Sequence, residues 1–595
     1  MLRHIVEMYI IMKSFFKNVL ANIVAIIIIA AVFSLFFIMI IAASALSGDQ
    51  KPTIKNNTVL TLDFKTNIID SPTEDQESLF SFSDQQKNIL IFDMLDAIKK
   101  AKSDDKIKGI SIETDGISAG FTQLDDIRAA LEDFKKSGKF VYAYGNVVSQ
   151  SAYYLGSVAD QYFLNPAGGI DLKGLATEVL YMKNFADKYG IGIQIIRHGK
   201  YKSAVEPYMR DDMSPENKEQ LSTLLNDIWS VNSQKIAKSR KIDSTQFRTV
   251  VDSLYGAIPE LSLQHKLADR LVQKSEYDLM IRTKLNLKEK DKLLKVSFNK
   301  YIKSYQDSSA KDEQIAVLYA SGAIYNGEGF QDIYADNFVK EIKKLTKNDK
   351  VKAVVLRINS PGGSANASDE ILFELQQLKK KKPIIVSFGD YAASGGYYIA
   401  MAADKIYSES NTITGSIGVF GMIPYFKEAA NKNGLTSHAV TTNANSNMYS
   451  PINGVTPGGV AILTKSVEQT YKRFVHFVTE NRKKSFEQID EIGGGRVWSG
   501  TRAKQIGLVD ELGTLNDAIA FAAQKAKVKE YSITSFPKKM TQFEQIFKNL
   551  DEDEISARFI KNKIGAENYK MFEQITNPKL QEGVMMKMPF DLKID

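Results

Sequence analysis

Residues 352–404 read KAVVLRINSPGGSANASDEILFELQQLKKKKPIIVSFGDYAASGGYYIAMAAD. KAVVLRI is an apolar, β-branched run of strand length, and ASDEILFELQQLKK carries its apolar residues at helical spacing. PIIVSF is a second strand-length run, and GGYYIAMAAD reads as the next helix. Strand, helix, strand, helix with short connections predicts mostly parallel βαβ units with right-handed crossovers, an α/β fold.

The same pattern stands earlier in the chain. GDYAASGGYYIA (389–400) falls over GNVVSQSAYYLG (145–156), so that Ser394 stands 244 positions after Gln150. In that one register residues 104–207 lie over 348–451 without a gap. DDKIKGISI meets NDKVKAVVL, Tyr153-Tyr154 meet Tyr397-Tyr398, and Ala159-Asp160 meet Ala403-Asp404. Gly174, Tyr181, Lys188, Gly190 and Pro207 meet Gly418, Tyr425, Lys432, Gly434 and Pro451. Agreement this dense in a fixed register marks a tandem duplication. The Lys- and Asp-rich stretch around 284–313 reads as the linker. GRVWSGTRAKQIGLVDELG (495–513) closes the second copy, and HKLADRL (265–271) is its faint echo in the first.

A chain of 595 residues exceeds what one ordinary core holds. Residues 18–48 carry no charge and include IVAIIIIAAVFSLFFIMIIAA, longer than the roughly 20 residues a membrane-crossing helix needs. The apolar region of a cleaved leader is shorter, roughly 7–15 residues, so an uncleaved anchor is expected, although AASALSG resembles a cleavage site. Arg3, Lys13 and Lys17 precede the span and Lys51 and Lys55 follow it, a slight bias toward a cytoplasmic N-terminus. Met12 is an alternative start that would keep the anchor. The expected division is 1–48 cytoplasmic N-terminus and transmembrane anchor, 49–300 first repeat, 301–537 second repeat, and 538–595 a charged tail without assignment.

Several chemistries are excluded or unsupported. The absence of cysteine removes thiol nucleophiles, thiolate metal sites and disulfides. The five histidines are scattered with no pair at ligand spacing, so no metal is expected, and no nucleotide motif appears, so no cofactor is expected. A net charge of +7 is small for this length; the lysine run 379–382 reads as a solvated helix end, and nucleic acid is not an expected partner.

Ser394 lies in AASGG, between a buried strand and a helix. A hydroxyl on such a turn sits beside the positive end of the helix and can act as a nucleophile, or it can be an ordinary N-cap. NSPGGSA (359–365) also joins a strand to a helix, and Gly362-Gly363 can turn N–H groups toward a carbonyl oxygen. The first copy has Ser118 and Ala119 there, so the copy without the serine also lacks the double glycine. A nucleophilic serine needs a base. His438, which aligns with Gln194 in a strand-like stretch, is the first histidine after Ser394; a desolvated lysine is the other option. The missing first glycine and the lack of a histidine partner argue against an α/β-hydrolase.

GKYKSAVEPYMR (199–210), taken with NSPGG, AASGGYYIA and TGSIGV, resembles the signal peptide peptidase A family in its long, duplicated, membrane-anchored form. The resemblance spans the anchor and both repeats. It implies tandem crotonase-like (Clp-like) β-β-α superhelix domains and a serine endopeptidase. Carried over by motif, the base is Lys202 and the nucleophile Ser394, while Ser416 hydrogen-bonds the lysine. The expected oxyanion donors are the N–H groups of Gly363 and Gly395, and Tyr201 and Glu206 beside the base are read as structural. Lys202 aligns with Ser446 and Ser394 with Gln150, so each copy keeps the half of the dyad that the other has lost. The resemblance further implies remnant signal peptides and other apolar peptides as substrates, a ring-like homotetramer, and a catalytic domain outside a bacterial cytoplasmic membrane. An acyl-CoA enzyme of the crotonase kind and a non-catalytic membrane scaffold are the rival readings.

Overall fold

The computed structural model describes residues 13–14, 17–35, 39, 51–63, 66–72, 87–305, 311–329, 332–538 and 584–588. Lys17–Leu35 is a helix of 19 residues with mean hydropathy 2.5, long and apolar enough to cross a membrane. Of the expected span, 36–38 and 40–48 lie outside the described residues. The helix belongs to a separate compact unit; everything below concerns the other unit, which holds both repeats.

Each repeat builds a parallel sheet from its apolar runs. In the first, the strand order is Arg270–Leu271, Gln161–Ile170, Phe140–Val148, Ile107–Glu113, Thr58–Asp63 and Leu294–Ser297. In the second, Lys405–Ser408, Ile384–Ala393, Val351–Ser360, Gln314–Ser321 and Ser532–Phe536 follow the same order. The central strand Val351–Ser360 is buried along nearly its whole length, as a strand covered on both faces must be. Ala365–Lys379 covers it with Ile371, Leu375 and Leu378, and starts where Ser364 Oγ accepts the Ala367 N–H.

Side chains repeat as faithfully as strands. Tyr153 and Tyr397 donate their hydroxyls to the carbonyls of Leu267 and Leu508. Asp160 and Asp404 accept from the N–H of Val141 and Ile384, at the start of the neighbouring strand in each sheet. Pro215–Arg240 and Pro457–Arg482 are each 26 residues long, begin with proline and are capped by Ser214 and Thr456. The first tyrosine of each YY pair thus holds its corner in place.

Three sequence expectations change. The linker expected around 284–313 contains Leu294–Ser297, the last strand of the first sheet, and the helix Phe298–Tyr305 straddles the expected 300/301 boundary. The lysine run at 379–382 is not simply solvated: Lys382 is buried and donates to the carbonyls of Leu345 and Asn348, at the C-terminal end of Ala335–Lys347, where a cation is favoured. The tail left without assignment returns as a strand, Met585–Lys587.

That strand lies in a third sheet that joins the repeats. Its order is Ile333–Tyr334, Ile324–Tyr325, Gly362–Ser364, Met585–Lys587, Val419–Tyr425 and Gly192–His198. Only the last comes from the first repeat. Beneath it the repeats share a buried ion pair, Arg357 with Asp70 at 2.9 Å. Asp126, beside Arg357 and Glu409, has its carboxyl pushed up to about 7 by burial, against the pull of Arg357.

Candidate active site

The strand Ile384–Ala393 runs beyond the PIIVSF read from sequence, because it pairs first with Lys405–Ser408 and then with Ile413–Gly415. It ends at Ser394, whose φ of 54° and ψ of −115° lie where a residue with a Cβ is strained. The surroundings hold it there: the Ser394 N–H donates to Gly415 O at 2.8 Å, and its carbonyl accepts from the Tyr398 N–H at 2.8 Å. The helix that follows, Gly395–Ile399, takes no cap from the Ser394 side chain. Oγ is turned instead toward Lys202, whose Nζ lies 2.8 Å away.

Lys202 comes from the first repeat, 192 residues earlier in the chain. It sits at the start of the 3-10 turn Ser203–Tyr208, brought across by the strand pair Gly192–His198 with Val419–Tyr425. The glycine run 493–495 receives it: Tyr201 N–H donates to Gly494 O at 3.1 Å, and a Cβ on Gly495 would collide with the Lys202 backbone. Gly418 lies against its aliphatic stem. The residue is fully buried, and this desolvation holds its amine well below the usual lysine range. Nζ donates to Ser416 O at 3.1 Å and lies 2.9 Å from Ser416 Oγ. Ser416 itself has φ 50° and donates its N–H to Arg496 O at 2.7 Å.

Gly363 and Gly395 meet on the other side of Ser394. A Cβ on Gly395 would lie 3.2 Å from Gly363 N and 2.7 Å from Ser368 Oγ, so a larger residue would be crowded there. Gly362 has φ 95°, and a Cβ on it would strike both Gly395 N and the carbonyl oxygen of Met586. Gly363 is paired with Met586 in the antiparallel ladder, flanked by bonds from Ala365 N–H to Val584 O and from Met588 N–H to Pro361 O. The two-residue alternation of that ladder turns the Gly363 N–H to the Met586 carbonyl, beside Gly395 N. Ser394, Lys202, Ser416, Gly363 and Gly395 therefore converge on one point.

The other residues weighed from sequence lie elsewhere. His438 is exposed in a stretch without regular structure, not the strand expected, because the counterpart strand Gly192–His198 has Val419–Tyr425 to pair with and 436–442 has no such partner among the described residues. Glu206 is buried and accepts from Asn217 at 2.7 Å, a structural role. Tyr201 packs its ring against Arg496. Among the described residues no cluster of acids and histidines could hold a metal. Sequence reading missed Gly418, Gly494 and Gly495, although the run GGG was a visible signal, and it missed Met586, which carried none.

The sequence profile of Peptidase family S49 matches residues 133–288 and 376–529, one stretch in each repeat, and that of Clp protease matches 306–413. The chain belongs to peptidase family S49. It is 35% identical to Protease 4 of Salmonella typhi over 510 residues, 82% of each chain, and 35% identical to Protease 4 of Haemophilus influenzae, covering 83% of each. It is 30% identical to the chloroplastic serine protease SPPA of Arabidopsis thaliana, over 80% of this chain and 70% of that one. The duplicated α/β fold with Clp-like repeats is thus that of an S49 serine protease, and the acyl-CoA and scaffold readings are set aside.

Proposed function

We propose that the chain is a membrane-anchored endopeptidase with a Ser394/Lys202 dyad split across its two repeats. The observation that carries this reading is the 2.8 Å approach of a fully buried lysine amine, with no carboxylate partner among the described residues, to the hydroxyl of a strained serine. Neutral Lys202 takes the Ser394 Oγ proton as Oγ attacks the peptide carbonyl carbon. The N–H groups of Gly363 and Gly395 hold the oxyanion. Protonated Lys202 gives its proton to the leaving amine. Water then attacks the acyl ester, losing its proton to Lys202, which passes it to Ser394 Oγ as the acyl–oxygen bond breaks, restoring the serine hydroxyl and the neutral amine. Ser416, bonded twice to Nζ, aims the lysine.

Remnant signal peptides and other apolar peptides are the proposed substrates, cut by a homotetramer on the extracytoplasmic side of a bacterial cytoplasmic membrane. Support comes from the apolar N-terminal helix and from the bacterial Protease 4 relatives. The test uses the full chain in detergent with a fluorogenic peptide bearing an apolar residue before the cut bond. Ser394→Ala and Lys202→Ala are both expected to lose activity while keeping the native circular dichroism spectrum. An active Lys202→Ala would place the base elsewhere.

A further inference from the structure

The strand pairing that carries Lys202 to Ser394 is used once but encoded twice. Gly192–His198 pairs antiparallel with Val419–Tyr425, with Gly192 opposite Tyr425 and His198 opposite Val419. At the repeat spacing, the counterparts are 436–442 and 175–181. Both are described, neither forms a strand, and 436–442 is exposed throughout. Val440 and Leu180 are among the most exposed large apolar residues of the chain. The flanking glycines show the same contrast. Gly190 packs against Glu428 and Ala429, and its carbonyl accepts the Ala429 N–H at 3.0 Å. Its counterpart Gly434 faces open space.

We propose that a second copy of this chain completes the pattern: segment 436–442 of one copy pairs antiparallel with 175–181 of the next. The internal pair sets the register, placing Thr436 opposite Tyr181, Val440 opposite Thr177 and Thr442 opposite Leu175. Each copy offers one segment of each kind, so the contact is head to tail, the kind that forms a ring when its rotation closes. This rests on the homotetramer reading above and names its interface. It also accounts for the complementary loss. Ser446 and Gln150, the counterparts of Lys202 and Ser394, face each other at this junction between copies. Gln150 is already closed off there, accepting from the N–H groups of Lys173 and Gly174 and donating to Gly174 O. Every junction in the ring uses the same strand pairing, and only the junction inside a chain carries a nucleophile and a base.

The chain contains no cysteine, so an introduced pair reports without background. Opposed residues of an antiparallel pair lie about 4.5–5.5 Å apart at Cα, within disulfide range. The full chain carrying Thr177→Cys and Val440→Cys, oxidised in detergent, is expected to run as a ladder up to four chains on a non-reducing gel, and each single variant as one chain. A dimer from either single variant, or a double variant that stays at one chain mass, overturns the interface. Light scattering on the unmodified protein separates the two readings: a four-chain mass without a ladder leaves the tetramer and removes this surface, whereas a one-chain mass removes both.

A second observation stands independently. We infer that residues 584–588 are a built-in occupant of the substrate cleft, which incoming peptide must displace. Met585–Lys587 lies between Gly362–Ser364 and Val419–Tyr425, antiparallel to both. Met586 is fully buried, with its carbonyl beside the N–H groups of Gly363 and Gly395, in the position of the residue whose carbonyl is attacked. Met588 packs on Leu221, Leu224 and Ile228 of the first repeat's long helix. A tethered segment of this kind competes at high effective concentration. Met586→Asp, and a chain ending at Gly583, are each expected to raise kcat/KM for a short peptide about tenfold or more, through KM with kcat unchanged. Unchanged kcat/KM in both overturns the inference. Loss of residues 587–595 from the active protein but not from Ser394→Ala, read by intact mass, also overturns it, since the segment would then be a substrate rather than a cover.

Discussion

Two corners with one ancestry have diverged in backbone as well as side chain. In the first repeat Ser149 is an ordinary N-cap with φ −68°, accepting the Ala152 N–H, and Gln150 begins a relaxed helix. In the second repeat the chain reaches Ser394 one position later, with positive φ, and its hydroxyl caps nothing. The N-cap alternative weighed for Ser394 does not hold, whereas Ser149, not singled out from the sequence, is such a cap. Both corners keep the tyrosine pair that bolts the short helix to the body: Tyr154 to Asp125, and Tyr398 to Asp369. Of the two corners, strain of about 1–3 kcal/mol is retained only at the one that carries the proposed nucleophile.

The widest expected gap between the corners is in activity. Ser394→Ala should lower kcat/KM by about 10⁴-fold or more, whereas Gln150→Ala should leave it within about twofold. Lys202→Arg should be as inactive as Lys202→Ala, because a guanidinium does not give up its proton. The sign of the pH dependence follows from burial. The depressed lysine must be neutral to act, so kcat/KM should rise with pH on a single limb and level off well below the usual lysine range. A profile still climbing at the ordinary lysine pKa would contradict the buried base.

Next in size comes the oxyanion side. Gly395→Ala would bring a methyl group 2.7 Å from Ser368 Oγ and 3.2 Å from Gly363 N, spreading the two donors. A loss of about 10²–10³ in kcat is expected, with KM little changed. Replacing Ala119, which stands at the equivalent of Gly363, by glycine should change nothing measurable in the same assay.

The repeats themselves are tested by their shared ion pair. Asp70→Ala removes the shorter of Arg357's two buried ion pairs, leaving only Glu409 at 3.7 Å, and should cost about 3–5 kcal/mol in denaturant unfolding. Smallest is the strain at the corner. Glycine accepts the φ of position 394 and alanine does not, so Ser394→Gly should be more stable than Ser394→Ala by about 1 kcal/mol. The equivalent pair at Gln150 should show the opposite order, since that position is helical and glycine weakens a helix.

Much of this was legible along the chain. The apolar runs of 352–404 declared parallel βαβ units because a strand covered on both faces reads as a near-continuous apolar run, with few polar exceptions such as Arg357. The fixed spacing of 244 declared two copies, since insertions had not accumulated in the central units. What lay outside the ungapped window was harder to see. Leu294–Ser297 looked like linker, being four residues among lysines, and became a strand only because Thr58–Asp63 offered an edge beside it. His438 sat in a strand-like run that forms no strand, because pairing depends on a partner and not on composition. The glycines around Lys202 carried a signal, but not the reason for it.

From the sequence alone came the fold class, the duplication and the apolar span, with Ser394 and Lys202 as the proposed dyad, all of which rest on local pattern or on motif. Tertiary structure decided the rest. It set the positive φ of Ser394, the burial that depresses the Lys202 amine, the sheet joining the repeats and the strand that crosses the cleft from the chain's far end. Those depend on desolvation and on hydrogen bonds between segments hundreds of residues apart, and neither quantity exists until the two repeats have closed on each other.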